Sequence, residues 1–195
     1  MGDPFGARGR ETLRVVRWIC SALLLILGAA SLAAAEESPW RFGSPEAVMA
    51  NSGIFDPLVN DGSYEIGMEL QFAPRRFRFL PEFLPELIPA AGLIAGAQGS
   101  LYVYGGARMD LPIGGPWVFS PNAGMGLYHR ADGFDLGGAL EFRTGVELAY
   151  RLPGGSRLGL CLYHLSNSGL FERNPGSESL VLTYSAGLHT ARRRG

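Results

Sequence analysis

The sequence predicts an all-β fold of about eight antiparallel strands. Two closures are open to it: a soluble two-sheet sandwich, or an eight-stranded antiparallel outer-membrane β-barrel. Three observations carry this reading. Apolar residues recur at every second position in successive runs, the mark of strands with one apolar face. Glycine is abundant, at 28 residues, and Gly-Pro-rich punctuation separates the runs. The first 35 residues read as an export leader, and no run of 18 apolar residues follows it, so no helical span is expected.

The leader has Arg8, Arg10, Arg14 and Arg17 as a positive n-region and an apolar stretch over 19–30. Ala33-Ala34-Ala35 then offers an A-x-A cleavage site before Glu36. Residues 1–35 are therefore expected to be a signal peptide and 36–195 a single β domain, exported by the Sec route. A short strand is expected near 44–54. The next sets Tyr64, Ile66, Met68, Leu70 and Phe72 against Glu65, Gly67, Glu69 and Gln71. Residues 73–86, with Arg75, Arg76, Arg78 and three prolines, read as a loop. Weaker runs follow at 87–97, 100–111 and 116–128, with a turn at 112–116 and another at 131–133. A strong run then sets Leu140, Phe142, Val146, Leu148, Tyr150 and Leu152 against Glu141, Arg143, Gly145, Glu147 and Arg151. After a turn at 153–155, Leu158, Leu160 and Leu162 oppose Arg157, Gly159, Cys161 and Tyr163. The last run sets Leu180, Leu182, Tyr184, Ala186 and Leu188 against Val181, Thr183, Ser185 and Gly187.

Composition narrows the function. The chain is 47% hydrophobic and 18% charged, with net charge −1, which suits one folded domain. All 17 basic residues are arginine, but no basic stripe marks nucleic acid as a partner. Cys20 leaves with the leader, so Cys161 has no disulfide partner, and between Leu160 and Leu162 it reads as a packing residue. No His, Cys and carboxylate cluster has metal-ligand spacing, and no cofactor is expected. The polar face mixes Glu65, Glu69, Glu141, Glu147, Arg143, Arg151 and Arg157 with glycines. Such a face can pack as a paired network inside a narrow barrel or meet water outside a sandwich. Tyr64, Phe72 and Tyr150, near apolar-strand ends, fit interfacial girdles.

Chemistry concentrates in Tyr163-His164-Leu165-Ser166-Asn167-Ser168-Gly169-Leu170. His164 and Ser166 share parity with Leu158, Leu160 and Leu162, so they continue the apolar face. Their backbones are about 7 Å apart along the strand, and their tips can approach. Glu178, after the loop at 167–177, has the parity of Leu180 and Leu182, and an antiparallel hairpin brings it beside His164. A nucleophile, a base and a carboxylate that orients the base are the requirement for serine acyl transfer. The bland alternative is a strand running into a polar turn. His129 and His189 read as turn and terminal residues.

The run HLSNSGL, followed by NPGSES with its glutamate twelve residues after the serine, resembles the PagL family of outer-membrane lipid A 3-O-deacylases. ALEFRTGVELAYRLPGGSRLGLCLYHLSN is similar to the family's last strands, and SYEIGMELQF to an early one. The resemblance implies an eight-stranded barrel with its site on the outer surface, which agrees with the parity of His164 and Ser166. It implies Ser166 as nucleophile, His164 as general base and Glu178 as orienting carboxylate. Asn167 and Asn174 would stabilise the oxyanion, and Gly169 would let the backbone approach. The implied setting is the cell outer membrane, with lipid A or lipopolysaccharide as substrate and a homodimer also allowed. Two alternatives stand beside it: a non-enzymatic small barrel with a vestigial motif, and an esterase acting on phospholipid.

Overall fold

In a computed structural model of the chain, residues 43–56, 62–76 and 81–188 are described. The expected leader at 1–35 and His189 lie outside them. Nine strands run in order: β1 Ala47–Phe55, β2 Ser63–Gln71, β3 Ile88–Gly96, β4 Leu101–Arg108, β5 Leu111–Gly114, β6 Trp117–His129, β7 Leu140–Arg151, β8 Arg157–Ser166 and β9 Ser177–Gly187. Successive strands pair antiparallel from β1 to β4 and from β5 to β9, β1 also pairs with β9, and β4 closes onto β6. The short β5 follows β4 and pairs with the same strand β6, so the two form one interrupted stave. The result is a closed eight-stave barrel. One expectation is corrected here. The turn read at 112–116 is narrower, because Leu111 to Gly114 extend the ladder; the reversal falls at Gly115 (φ 53°) and Pro116.

The alternation reads out as an inside-out protein. Glu65, Glu69, Glu141, Arg143 and Glu147 are all buried, while their strand neighbours Ile66, Leu148 and Val146 stand exposed. Ile66 and Leu182 are each 61% exposed, against 3% for Arg143 and Glu147. A sandwich would bury the leucines, so the face that meets the surroundings is the apolar one, as lipid requires. The register aligns outward residues in rows. One is Phe119, Leu148, Leu160 and Leu182. Another is Trp117, Tyr150, Leu158 and Tyr184, where the Trp117 and Tyr150 rings meet edge to face at 5.1 Å. That aromatic row lies at the mouth where β1 begins and β9 ends; Tyr64, 75% exposed, stands towards the opposite mouth.

Inside, most of the charges pair with one another, because a barrel of eight strands leaves room only for side chains. The carboxylate oxygens of buried Glu141, by contrast, have no hydrogen-bond partner among the described residues. Arg108 binds Glu147 and lies 3.3 Å from Asp110, which also holds Arg157. Tyr104 donates to Glu69 at 2.8 Å, and Tyr163 donates to Glu65. Arg143 stacks 4.2 Å from the Tyr163 ring centroid and donates to Asn122 at 2.6 Å. Cys161 is buried among these groups as a packing residue. The outward face supports a direct test. Leu160→Arg, in mid-strand on β8, is expected to destabilise the barrel by about 2–4 kcal/mol in lipid vesicles. Urea unfolding in vesicles measures it; unchanged stability would mean that this face meets water.

Candidate active site

The site lies at the mouth opposite the two ends of the barrel chain, where β8 stops and β9 starts. His164 faces Glu178 directly across the β8–β9 ladder and Thr144 across the β7–β8 ladder. Its Nδ1 is 3.1 Å from Glu178 Oε1. A carboxylate there accepts a hydrogen bond from Nδ1–H, which leaves the Nε2 lone pair as the proton acceptor. Ser166 lies two residues along on the same outward face, opposite Phe142. No hydrogen bond joins Ser166 to His164 among the described contacts. Such bonds commonly tighten only once substrate is bound. His164 and Glu178 are half-buried, their side chains 43% and 39% exposed, on a wall whose next positions are Leu162 and Leu180. Polar groups are costly on such a wall, and a paired set invites a functional reason.

The turn after Ser166 is built by Asn167. Ser168 (φ 54°) and Gly169 (φ 77°) are both left-handed, as a two-residue I′ turn requires, and the Leu170 amide closes it on the Asn167 carbonyl. The Asn167 side chain is fully buried. Its amide nitrogen donates to Leu136 O at 3.0 Å and Arg173 O at 2.8 Å, and its oxygen accepts from the Gly169 amide at 3.0 Å. Asn174 Oδ1 in turn accepts from the Asn167 backbone amide at 3.0 Å. Of the two residues expected to stabilise the oxyanion, Asn167 is therefore engaged in holding the loop, as is the amide of Gly169. Asn174 is exposed, and its amide hydrogens have no partner among the described contacts. Asn167→Ala is expected to leave the Leu136 and Arg173 carbonyls without this donor, at about 1–3 kcal/mol for the buried Leu136 carbonyl. Limited proteolysis checks this, with faster cleavage within 167–176 as the expected result.

A second loop, 130–139, braces the first. Arg130 and Arg173 both reach Asp135 Oδ2, at 3.0 and 3.1 Å. The Gly137 amide donates to Asp135 and, with the two guanidinium groups, holds that carboxyl below its usual range. Gly137 (φ 90°) gives the Arg173 carbonyl close approach, since a Cβ there would lie 2.1 Å from it. Of the other histidines, His129, read as a turn residue, is instead the last residue of β6, paired with Leu101.

Gly176 was not singled out by the sequence pattern. It adopts φ 68°, and a Cβ at this position would lie 2.8 Å from His164 Cε1. The adjacent Pro175-Gly176 pair was the available signal, since it marks a turn. That the turn lands on the imidazole is visible only in three dimensions.

Residues 102–186 match the family described as lipid A 3-O-deacylase (PagL). The lipid A deacylase PagL of Bordetella bronchiseptica is 38% identical over 50 residues, 26% of this chain and 28% of that protein's length. The matched stretch thus spans little more than a quarter of that relative. The crystal structure of the outer membrane enzyme PagL superposes with a TM-score of 0.53 at 21% identity, covering 71% of this chain and 97% of the other. At that identity the superposition speaks for the fold. The stretch 102–186 contains β6 to β8, almost all of β9, and the His164, Ser166 and Glu178 constellation. The chain is thus similar to the PagL lipid A 3-O-deacylase family in sequence pattern over that stretch and to the PagL structure in its closed eight-stranded antiparallel barrel.

Proposed function

We propose that this protein is an outer-membrane serine esterase that removes a 3-O-linked acyl chain from lipid A. The observation that carries the proposal is the outward-facing His164–Glu178 pair, with Ser166 on the same lipid-facing wall. An ester whose acyl chains are dissolved in the bilayer is reached from this side and not from a filled lumen. His164 Nε2 takes the hydroxyl proton as Ser166 Oγ attacks the acyl carbonyl carbon, and Glu178 stabilises the imidazolium. Asn174, whose amide hydrogens have no partner among the described contacts and whose Oδ1 accepts from the amide next to Ser166, is the candidate donor to the tetrahedral oxyanion. The imidazolium returns its proton to the leaving sugar oxygen, and water then releases the fatty acid from the acyl-serine. The site would meet lipopolysaccharide in the outer leaflet. The loops at 130–139 and 167–176 lie on the site's side, as extracellular loops do in such barrels, whereas the other side carries the short turns at 115–116 and 152–156 together with the longer link 72–87.

The test is mass spectrometry of lipid A from cells expressing the intact protein or Ser166→Ala, with insertion of both verified. Loss of one 3-hydroxyacyl chain only with the serine present is the expected result. Unchanged lipid A from both would overturn the proposal. Fatty-acid release from phospholipid alone would reassign the substrate.

A further inference from the structure

We propose that Gly176 is a positioning residue for the catalytic imidazole: the absence of a side chain there sets the ring between Glu178 and Ser166. This inference rests on the triad reading and goes one step beyond it. Pro175 restricts its own φ to about −65°, and Gly176 at φ 68° completes the reversal. The bare backbone of Gly176 is thereby set against the His164 ring: its Cβ would stand 2.8 Å from Cε1 and 3.4 Å from Nε2. Two residues on, Glu178 enters β9 on the outward face and meets Nδ1 at 3.1 Å. One turn thus supplies both restraints on the ring, a contact at its Cε1–Nε2 edge and a hydrogen bond at Nδ1. A methyl group at 176 would have to displace the imidazole, and the displacement would come at the nitrogen that must face Ser166.

Strain and contact can be separated within this molecule. Gly155, in the β7–β8 turn at the opposite mouth, has φ 91°, and a Cβ there would meet nothing within 4 Å. Gly155→Ala therefore carries a left-handed backbone cost without the ring contact. The measurement is labelling by an alkyl fluorophosphonate, in which the Ser166 Oγ–phosphorus bond forms, fluoride leaves and His164 takes the hydroxyl proton. It reads serine activation without reference to lipid A. Folding is followed by heat-modifiable electrophoretic mobility in detergent micelles. For Gly176→Ala the limiting labelling rate is expected to fall by about 10- to 100-fold with the half-saturating probe concentration nearly unchanged. Gly155→Ala is expected to stay within about twofold of the parent. Should Gly176→Ala fold poorly, Gly176→Asn keeps the Cβ at lower backbone cost and is expected to show the same fall. A parental rate for the folded variant would overturn the inference, as would equal falls in Gly176→Ala and Gly155→Ala. A parent protein that does not label at all would instead overturn the triad reading, and this inference with it. Labelling without lipid A hydrolysis would leave Gly176 in place and reassign the substrate.

Discussion

Replacing Ser166 with alanine is expected to lower acyl release by at least about 1,000-fold, while the barrel folds as before. The size follows from the chemistry, since without Oγ no acyl-enzyme forms and only positioning and oxyanion stabilisation remain. The fold is spared because Ser166 is the last residue of β8 and faces outward, with no hydrogen bond to lose among the described contacts. His164→Ala is expected to fall to a similar level, and the double variant no further, because a nucleophile without its base is already inert. Glu178→Ala should be the mildest of the three, since it removes the group that holds the ring and leaves both reacting groups. Initial rates of fatty-acid release from purified lipid A in micelles, with folding verified by electrophoretic mobility, give all four values. An additive double variant would mean that the two residues do not act as a unit.

The second large effect lies in the lumen. Arg108→Met is expected to destabilise the barrel by about 3–5 kcal/mol, because it leaves buried carboxylates without their cation. The Arg108 side chain is 5% exposed and faces Glu147, Asp110 and Glu69, the last at 3.9 Å. Methionine fills the space but offers no donor, so Glu147 and Glu69 would have to take up protons or draw in water, while Asp110 keeps Arg157. Adding Glu147→Gln is expected to restore part of the loss, since one uncompensated charge is removed with its partner. Thermal melting by circular dichroism in detergent measures both variants. Arg108 pairs with Asn122 and Ile88 towards the mouth away from the site, so the folded fraction should keep its specific activity. Lost activity at full folding would point to a coupling through the lumen that the contacts do not explain.

Much of this protein is legible in one dimension because a strand has a period of two. The runs beginning at Tyr64, Leu140, Leu158 and Leu180 gave their strands to within a few residues, and the opposed glutamates and arginines marked the other face. Parity alone also put His164, Ser166 and Glu178 on one surface, since backbone geometry leaves a strand only two faces. The weaker runs over 100–128 show where local pattern fails. The ladder continues through Pro112 because β6 is long enough to pair with it, a decision made by the partner strand and not by the segment.

Alternation does not say which face turns inward. Barrel and sandwich share the pattern, and closure of β4 on β6 decides between them by enclosing the charges where they can pair. The other decisions left to tertiary structure concern polar atoms with more than one possible partner. The family resemblance implies Asn167 as a donor beside the proposed nucleophile Ser166. In the fold its side chain is spent on Leu136, Arg173 and Gly169, carbonyls and an amide that a second loop and a turn bring to it. Gly176 reads as a turn residue, and its contact with the imidazole exists only because β8 and β9 pair in one register. The sequence by itself determined the strands, the two faces and the three residues that share the outer one, because these depend on backbone periodicity. Which face met lipid, which amides stayed free and what held the histidine were decided by closure and register, because those depend on contacts between residues far apart in the chain.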